Sequence, residues 1–213
     1  MNYNMGKCAH VQNGEKSVMR IILASKSPRR KEILENLGLK FEIVVADADE
    51  SCDIKAPEEL VETLAARKGR AVVERLDFPR DCLVIASDTL VYAEGEFLGK
   101  PKDRDDARRM MHMLSGRHHC VVSGIYLYLN GKEKTSASVT RVFFDEMTES
   151  EIEGYINTSE PYDKAGGYAV QGRAGVFVNR LEGDYYNVVG LPVNLLNKTL
   201  KSEFGVDLGS LSE

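Results

Sequence analysis

Apolar residues in this chain alternate between short unbroken runs and runs at helical spacing, which predicts strands and helices in turn. Residues 21–24 form a strand-like run, Ile21-Ile22-Leu23-Ala24. A helix follows from Pro28 to about Leu37, with Ile33, Leu34 and Leu37 on one face and Gly38 as the stop. Residues 41–45 read as a second strand, followed by a loop carrying Asp47, Asp49, Glu50 and Asp53. Pro57 opens a long helix whose buried side carries Leu60, Val61, Leu64, Ala65 and Val72. The continuous run at 82–86 predicts a strand covered on both faces, ending at Ser87-Asp88-Thr89.

The second half is richer in hairpin signals. Residues 91–98 read as a small hairpin around Glu94-Gly95, and Asp103 as the cap of a helix with Ala107, Met110, Met111 and Leu114 inward. Residues 120–144 predict two strands joined at Asn130-Gly131, a dipeptide suited to the left-handed turn of a tight hairpin. Thr148 and Glu151 have capping-box spacing for a helix through Ile156. A glycine-rich segment at 165–172 precedes a strand at 176–178, and Pro192 begins a last helix to about Leu200. The class is therefore α/β with a substantial antiparallel part. Residues 1–18 are polar and aperiodic; they are expected to form a poorly ordered extension to a single domain spanning 19–213.

Composition narrows the function. The net charge of −5, with basic and acidic residues interleaved, disfavours a nucleic-acid-binding surface. No apolar run approaches the roughly 20 residues that span a bilayer, and the start lacks a signal-peptide core. Neither a membrane nor a nucleic acid is an expected partner. The four cysteines are scattered without a C-x-x-C pair, which fits a reducing cytoplasm and argues against a zinc site. His118, His119 and Cys120 are adjacent, but neighbours on a strand face opposite ways, so a strand start is expected there.

The densest chemistry lies at 25–30. Ser27 is placed to cap a helix and Pro28 to occupy its first position, so free amides converge with Arg29 and Arg30 on one spot. Such a terminus suits a phosphate, or its arginines are simply solvated. Asp88, beyond a buried run, is placed to hold a metal or take a proton from water, or to cap a turn. Glu50 offers a hard oxygen for Mg²⁺ or Mn²⁺, while Lys68 and Lys100 are phosphate partners or free surface lysines. Neither G-x-x-x-x-G-K-[ST] nor G-x-G-x-x-G opening a helix is present, which excludes P-loop and dinucleotide-binding folds. The lack of G-x-S-x-G disfavours an α/β-hydrolase.

Ser27-Pro28-Arg29-Arg30, Ser87-Asp88-Thr89-Leu90-Val91, Gly99-Lys100-Pro101, Leu114-Ser115-Gly116 and Asp163-Lys164-Ala165-Gly166 through Gln171-Gly172 occur in this order. In that combination the chain resembles the Maf family of nucleoside triphosphate pyrophosphatases over about residues 20–203. The resemblance implies an inosine triphosphatase-like fold, two lobes on a long curved mixed sheet with a central cleft. It implies hydrolysis of a nucleoside triphosphate to monophosphate and pyrophosphate with a divalent metal. By position, Asp88 is then the general base, Ser27, Arg30, Lys68 and Lys100 bind phosphate, and Glu50 with Asp88 holds the metal.

Arg29, Thr89 and Gln171 match the trio of the dTTP/UTP-directed members, whereas members resembling 7-methyl-GTP pyrophosphatases carry a tryptophan at Arg29. Ser87 departs mildly, since many members have alanine there. The family name also carries an association with septum inhibition, so a nucleotide-binding regulator of cell division is one alternative. A methylated-purine pyrophosphatase is another. The oligomer is left open, a homodimer being one possibility.

Overall fold

The computed structural model describes residues 19–211. The extension expected at 1–18 lies outside them. The sheet runs in the order β2 (Glu42–Ile43), β1 (Arg20–Leu23), β3 (Cys82–Ala93), β5 (His118–Leu129), β6 (Lys132–Phe144) and β7 (Val178–Glu182), with β4 (Glu96–Leu98) paired to β3 off that path. Strand β1 lies parallel to both β2 and β3. The remainder is antiparallel: β4 and β5 flank β3, followed by β6 and β7.

Local chemistry sets the element ends. Ser27 caps α1 (Pro28–Asn36) by accepting from the Arg30 amide, with Pro28 at the helix start. Asp103 caps α3 (Arg104–Leu114), and the capping box of Thr148 and Glu151 opens α4 (Glu149–Ile156). Both two-residue hairpins use paired left-handed residues, Glu94-Gly95 and Asn130-Gly131, whose twist matches the flanking strands.

Two alternating faces of the sheet hold the core. Ile21, Leu23, Leu83, Ile85, Ile125 and Leu127 pack beneath α1 and α6 (Val193–Thr199). On the other face Ile22, Val84, Ala86 and Tyr126 meet α2 (Pro57–Arg75). Farther along, Val91, Val121, Val142 and Phe144 pack against α3 and α4. The apolar ground beneath α1 and α6 and that beneath α3 and α4 are separate clusters. Among the described residues no helix is long and apolar enough to cross a membrane.

Several boundaries differ from the sequence expectation. The strand expected to end at Ser87 continues to Ala93, because its polar residues face a cleft rather than terminating the ladder. The strand expected at 176–178 is instead mostly a 3-10 turn (Arg173–Phe177), with β7 beginning at Val178. The second strand is reduced to Glu42–Ile43. On α2, Val61, Ala65 and Val72 are buried as expected, while Leu60 and Leu64 are only half-buried. The last helix starts at Val193 and runs into a π-type turn (Leu200–Phe204). A five-residue helix, α5 (Tyr185–Val189), ends in Gly190 and was not anticipated.

Candidate active site

The sheet itself makes the opening. β1 pairs with β3 only as far as Ile85, and β4 joins the same strand only from Val91. Across Ala86–Leu90 the β3 edge has no strand partner among the described residues, while β5 pairs along its other side. Asp88 and Thr89, which point to opposite faces, therefore both reach one cleft. It encloses about 790 Å³, the size of a nucleotide-class pocket.

Helix α2 delivers the first charged group. Gly124 lets the helix backbone press onto β5, since a Cβ there would lie 2.4 Å from the Val61 carbonyl oxygen. Gly69 likewise admits the Tyr126 ring, 2.0 Å from where its Cβ would be. Held this close, Lys68 donates from Nζ to Asp88 Oδ1 at 2.6 Å and pairs with Glu50 Oε1 at 3.0 Å. The Asp88 side chain is 14% exposed, so this pair is partly shielded from water. Arg67 braces the loop bearing Glu50 by donating to the Asp49 and Ser51 carbonyls.

Helix α1 supplies the opposite wall. Arg29 and Ser27 line the cleft, and Arg30 reaches across to Gly190 and Thr89. Burial lowers the Arg30 pKa, Asp88 opposes that shift, and the like charge of Arg29 adds to it. Lys100 enters from the loop after β4, which is tied to the glycine-rich segment by the Gly166 amide donating to the Gly99 carbonyl at 3.0 Å. Gln171 lies on the rim in a tight turn closed by the Gly172 amide on the Ala169 carbonyl. One cavity therefore gathers all of Ser27, Arg29, Arg30, Glu50, Lys68, Asp88, Thr89, Lys100 and Gln171.

The structure adds groups that sequence reasoning did not assign. Ser25, Asp163 and Lys164 also line the cleft. Lys164 donates to Asp163 at 2.5 Å and to the Glu160 carbonyl. That hydrogen bond holds the Asp163 carboxyl below its usual range, and Arg29 contributes to the same shift. The motif at 163–166 was visible in the sequence, but its proximity to Arg29 depends on a contact between distant segments.

The donor set suits a divalent cation. Glu50 and Asp88 flank the Lys68 ammonium, so a positive charge already lies between two carboxylates. Among the described residues no group of three or more His, Cys, Asp or Glu could hold a metal. Mg²⁺ is commonly held by one or two carboxylates and completed by substrate phosphates and water, which is the arrangement these residues permit.

Known proteins resemble this chain in fold and in sequence. The fold resembles that of the Ham1 protein of Staphylococcus aureus, with a TM-score of 0.50 and 16% identity over 86% of this chain and 99% of that one. That likeness gives the fold as the inosine triphosphatase-like one expected from the sequence. A protein of Alkaliphilus metalliredigens named dTTP/UTP pyrophosphatase is 48% identical across 89% of this chain and 98% of its own. A Bacillus cereus protein of the same name is 42% identical across 93% of this chain and 97% of its own. The family model described as Maf-like protein matches residues 20–203, from β1 through the turn after α6. Those residues contain the whole cleft, and the chain belongs to the Maf family.

Proposed function

We propose that the protein hydrolyses dTTP and UTP at the α–β phosphoanhydride, releasing the nucleoside monophosphate and pyrophosphate. The observation that carries the reading is the row Glu50–Lys68–Asp88 on one wall of a cleft whose other walls present Arg30 and Lys100. A triphosphate brings several negative charges into a partly desolvated site, and fixed cations there stabilise charge moving onto the departing pyrophosphate. Relatives named dTTP/UTP pyrophosphatases, matching along nearly their whole length, support the same activity.

In this mechanism Asp88 is the base. Its Oδ1 accepts from Lys68, and among the described residues Oδ2 carries no hydrogen bond, leaving it to take the proton of the attacking water. Arg30, Lys68, Lys100 and Ser27 at the α1 N-terminus bind the phosphates. Glu50 and Asp88 would hold a divalent cation, Mg²⁺ or Mn²⁺, which when bound neutralises phosphate charge. Arg29 and Gln171 read the polar edge of a small pyrimidine. The nucleotide pool it acts on is, in this reading, that of the cytoplasm.

The test is a screen of nucleoside triphosphates with Mg²⁺ and Mn²⁺, separating pyrophosphate from orthophosphate. dTTP and UTP should give monophosphate and pyrophosphate, with kcat/KM above that for 7-methyl-GTP. Orthophosphate with a diphosphate left behind would rule out cleavage at the α–β bond. A preference for 7-methyl-GTP would overturn the pyrimidine assignment and leave the reaction type standing.

A further inference from the structure

Arg30 is held by a frame of its own. Its Nε donates to the Gly190 carbonyl at 2.9 Å, Nη1 to Ser25 Oγ at 3.0 Å and Nη2 to Thr89 Oγ1 at 3.1 Å. A guanidinium has five N–H donors, so one on each Nη remains for a ligand. The same Gly190 carbonyl also accepts from Ser87 Oγ at 3.2 Å. Gly190 sits at φ 121°, a conformation reserved in practice for glycine, and this turns its carbonyl into the site.

The hydrogen bonds behind Thr89 reach back to α5. Ser123 stands directly opposite Thr89 in the β3–β5 ladder, fully buried, with its Oγ 2.8 Å from Thr89 Oγ1. Ser123 Oγ also lies 3.1 Å from the Asn187 carbonyl, an acceptor for its proton. Thr89 accepts from Arg30, and its own proton has two acceptors inside the frame, Ser123 Oγ and the Gly190 carbonyl at 3.3 Å. Arg30, Thr89, Ser123 and the carbonyls of Asn187 and Gly190 thus form one connected network.

With its one proton placed on Ser123 or on the Gly190 carbonyl, Thr89 has none to give to a carbonyl of a pyrimidine ring. We propose that Thr89, backed by Ser123, is a positioning residue for Arg30, acting on the phosphates through that guanidinium and not on the base. Base choice then falls to Arg29 and Gln171, whereas Thr89, Ser123, Ser25 and the Gly190 carbonyl fix how a phosphate is gripped. The inference rests on the phosphate-clamp reading above and refines it.

A ligand without a base separates the two roles. The probe is inorganic tripolyphosphate with Mg²⁺, titrated calorimetrically into the full-length protein. Thr89→Val keeps the shape but leaves an Arg30 N–H unpaired, so tripolyphosphate should bind roughly ten-fold more weakly, the scale of a lost bond to a charged group. Ser123→Ala should weaken it in the same direction, and Thr89→Ser should restore binding because it keeps the hydroxyl. In an Arg30→Ala background Thr89→Val should add nothing, the non-additivity expected of residues acting as a unit. Wild-type affinity of Thr89→Val for tripolyphosphate, with loss confined to UTP, would overturn the proposal and return Thr89 to the base. Failure of the wild-type protein to bind tripolyphosphate would instead overturn the phosphate clamp itself, and the frame with it.

Discussion

Lys68 sits between two carboxylates, and each of the three groups can be tested through the others. Asp88→Asn keeps the shape and removes the proton acceptor. Turnover of UTP should fall by ~10²–10⁴-fold while UTP binding largely survives, as steady-state and equilibrium measurements would show. Lys68→Met removes the cation that already occupies the space between Glu50 and Asp88. Without nucleotide, this variant should bind Mn²⁺ roughly ten-fold or more tightly than wild type by electron paramagnetic resonance, because a competing charge is gone. Unchanged Mn²⁺ affinity would place the metal elsewhere. His119 offers a test away from the cleft. Its ring is buried beside Phe144, Nε2 lies 2.6 Å from the Tyr168 hydroxyl, and burial lowers its pKa to about 3. The unfolded chain then binds the extra proton between about pH 6.5 and 3, so stability falls as pH drops through that window. Urea unfolding at pH 5 should give about 2 kcal/mol less than at pH 7.5, and His119→Leu should flatten that difference.

At the scale of elements, the seating of α2 decides where Lys68 arrives. Gly69→Ala puts a methyl into the Tyr126 ring, so stability should drop by about 1–3 kcal/mol in urea melts, with turnover reduced as the helix shifts. Gly154 provides the contrast, since it lies on α4 with nothing within 4 Å of an added Cβ. Gly154→Ala should raise stability by about 0.5–1 kcal/mol from helix propensity alone. Elements announced by local chemistry were legible beforehand: the Ser27 cap, the Thr148–Glu151 box and the Asn130-Gly131 turn each lie within four residues of chain. The strand through Asp88 was read short because polarity ordinarily marks the end of a buried run, whereas here it marks a wall of the cleft. Helix α5 spans too few residues to show a period, so its carbonyls at Asn187 and Gly190 could not have been foreseen as partners of Ser123 and Arg30. Thr89 and Ser123 meet only because β3 and β5 pair in one register, which no local pattern encodes.

Across the whole molecule, the cleft joins segments that are far apart in sequence. α1, α2, β3, the loop after β4 and the glycine-rich segment each contribute a wall, so a bound triphosphate links all of them. UTP at a hundred times its Kd should stabilise a slowly hydrolysing Asp88→Asn variant by about 2.7 kcal/mol, read as a rise in Tm. The interruption between β1 and β4 has one further consequence. A free strand edge ordinarily recruits a strand from another chain, which is how folded proteins begin to aggregate. Here the unpaired stretch among the described residues is Ala86–Leu90, hemmed in by Arg30 on one side and by the Lys68 ion pair on the other. A polypeptide adding itself there needs room for side chains on both faces, which these groups occupy. The break that opens the sheet to a small anion is thus too crowded to serve as a seed for self-association.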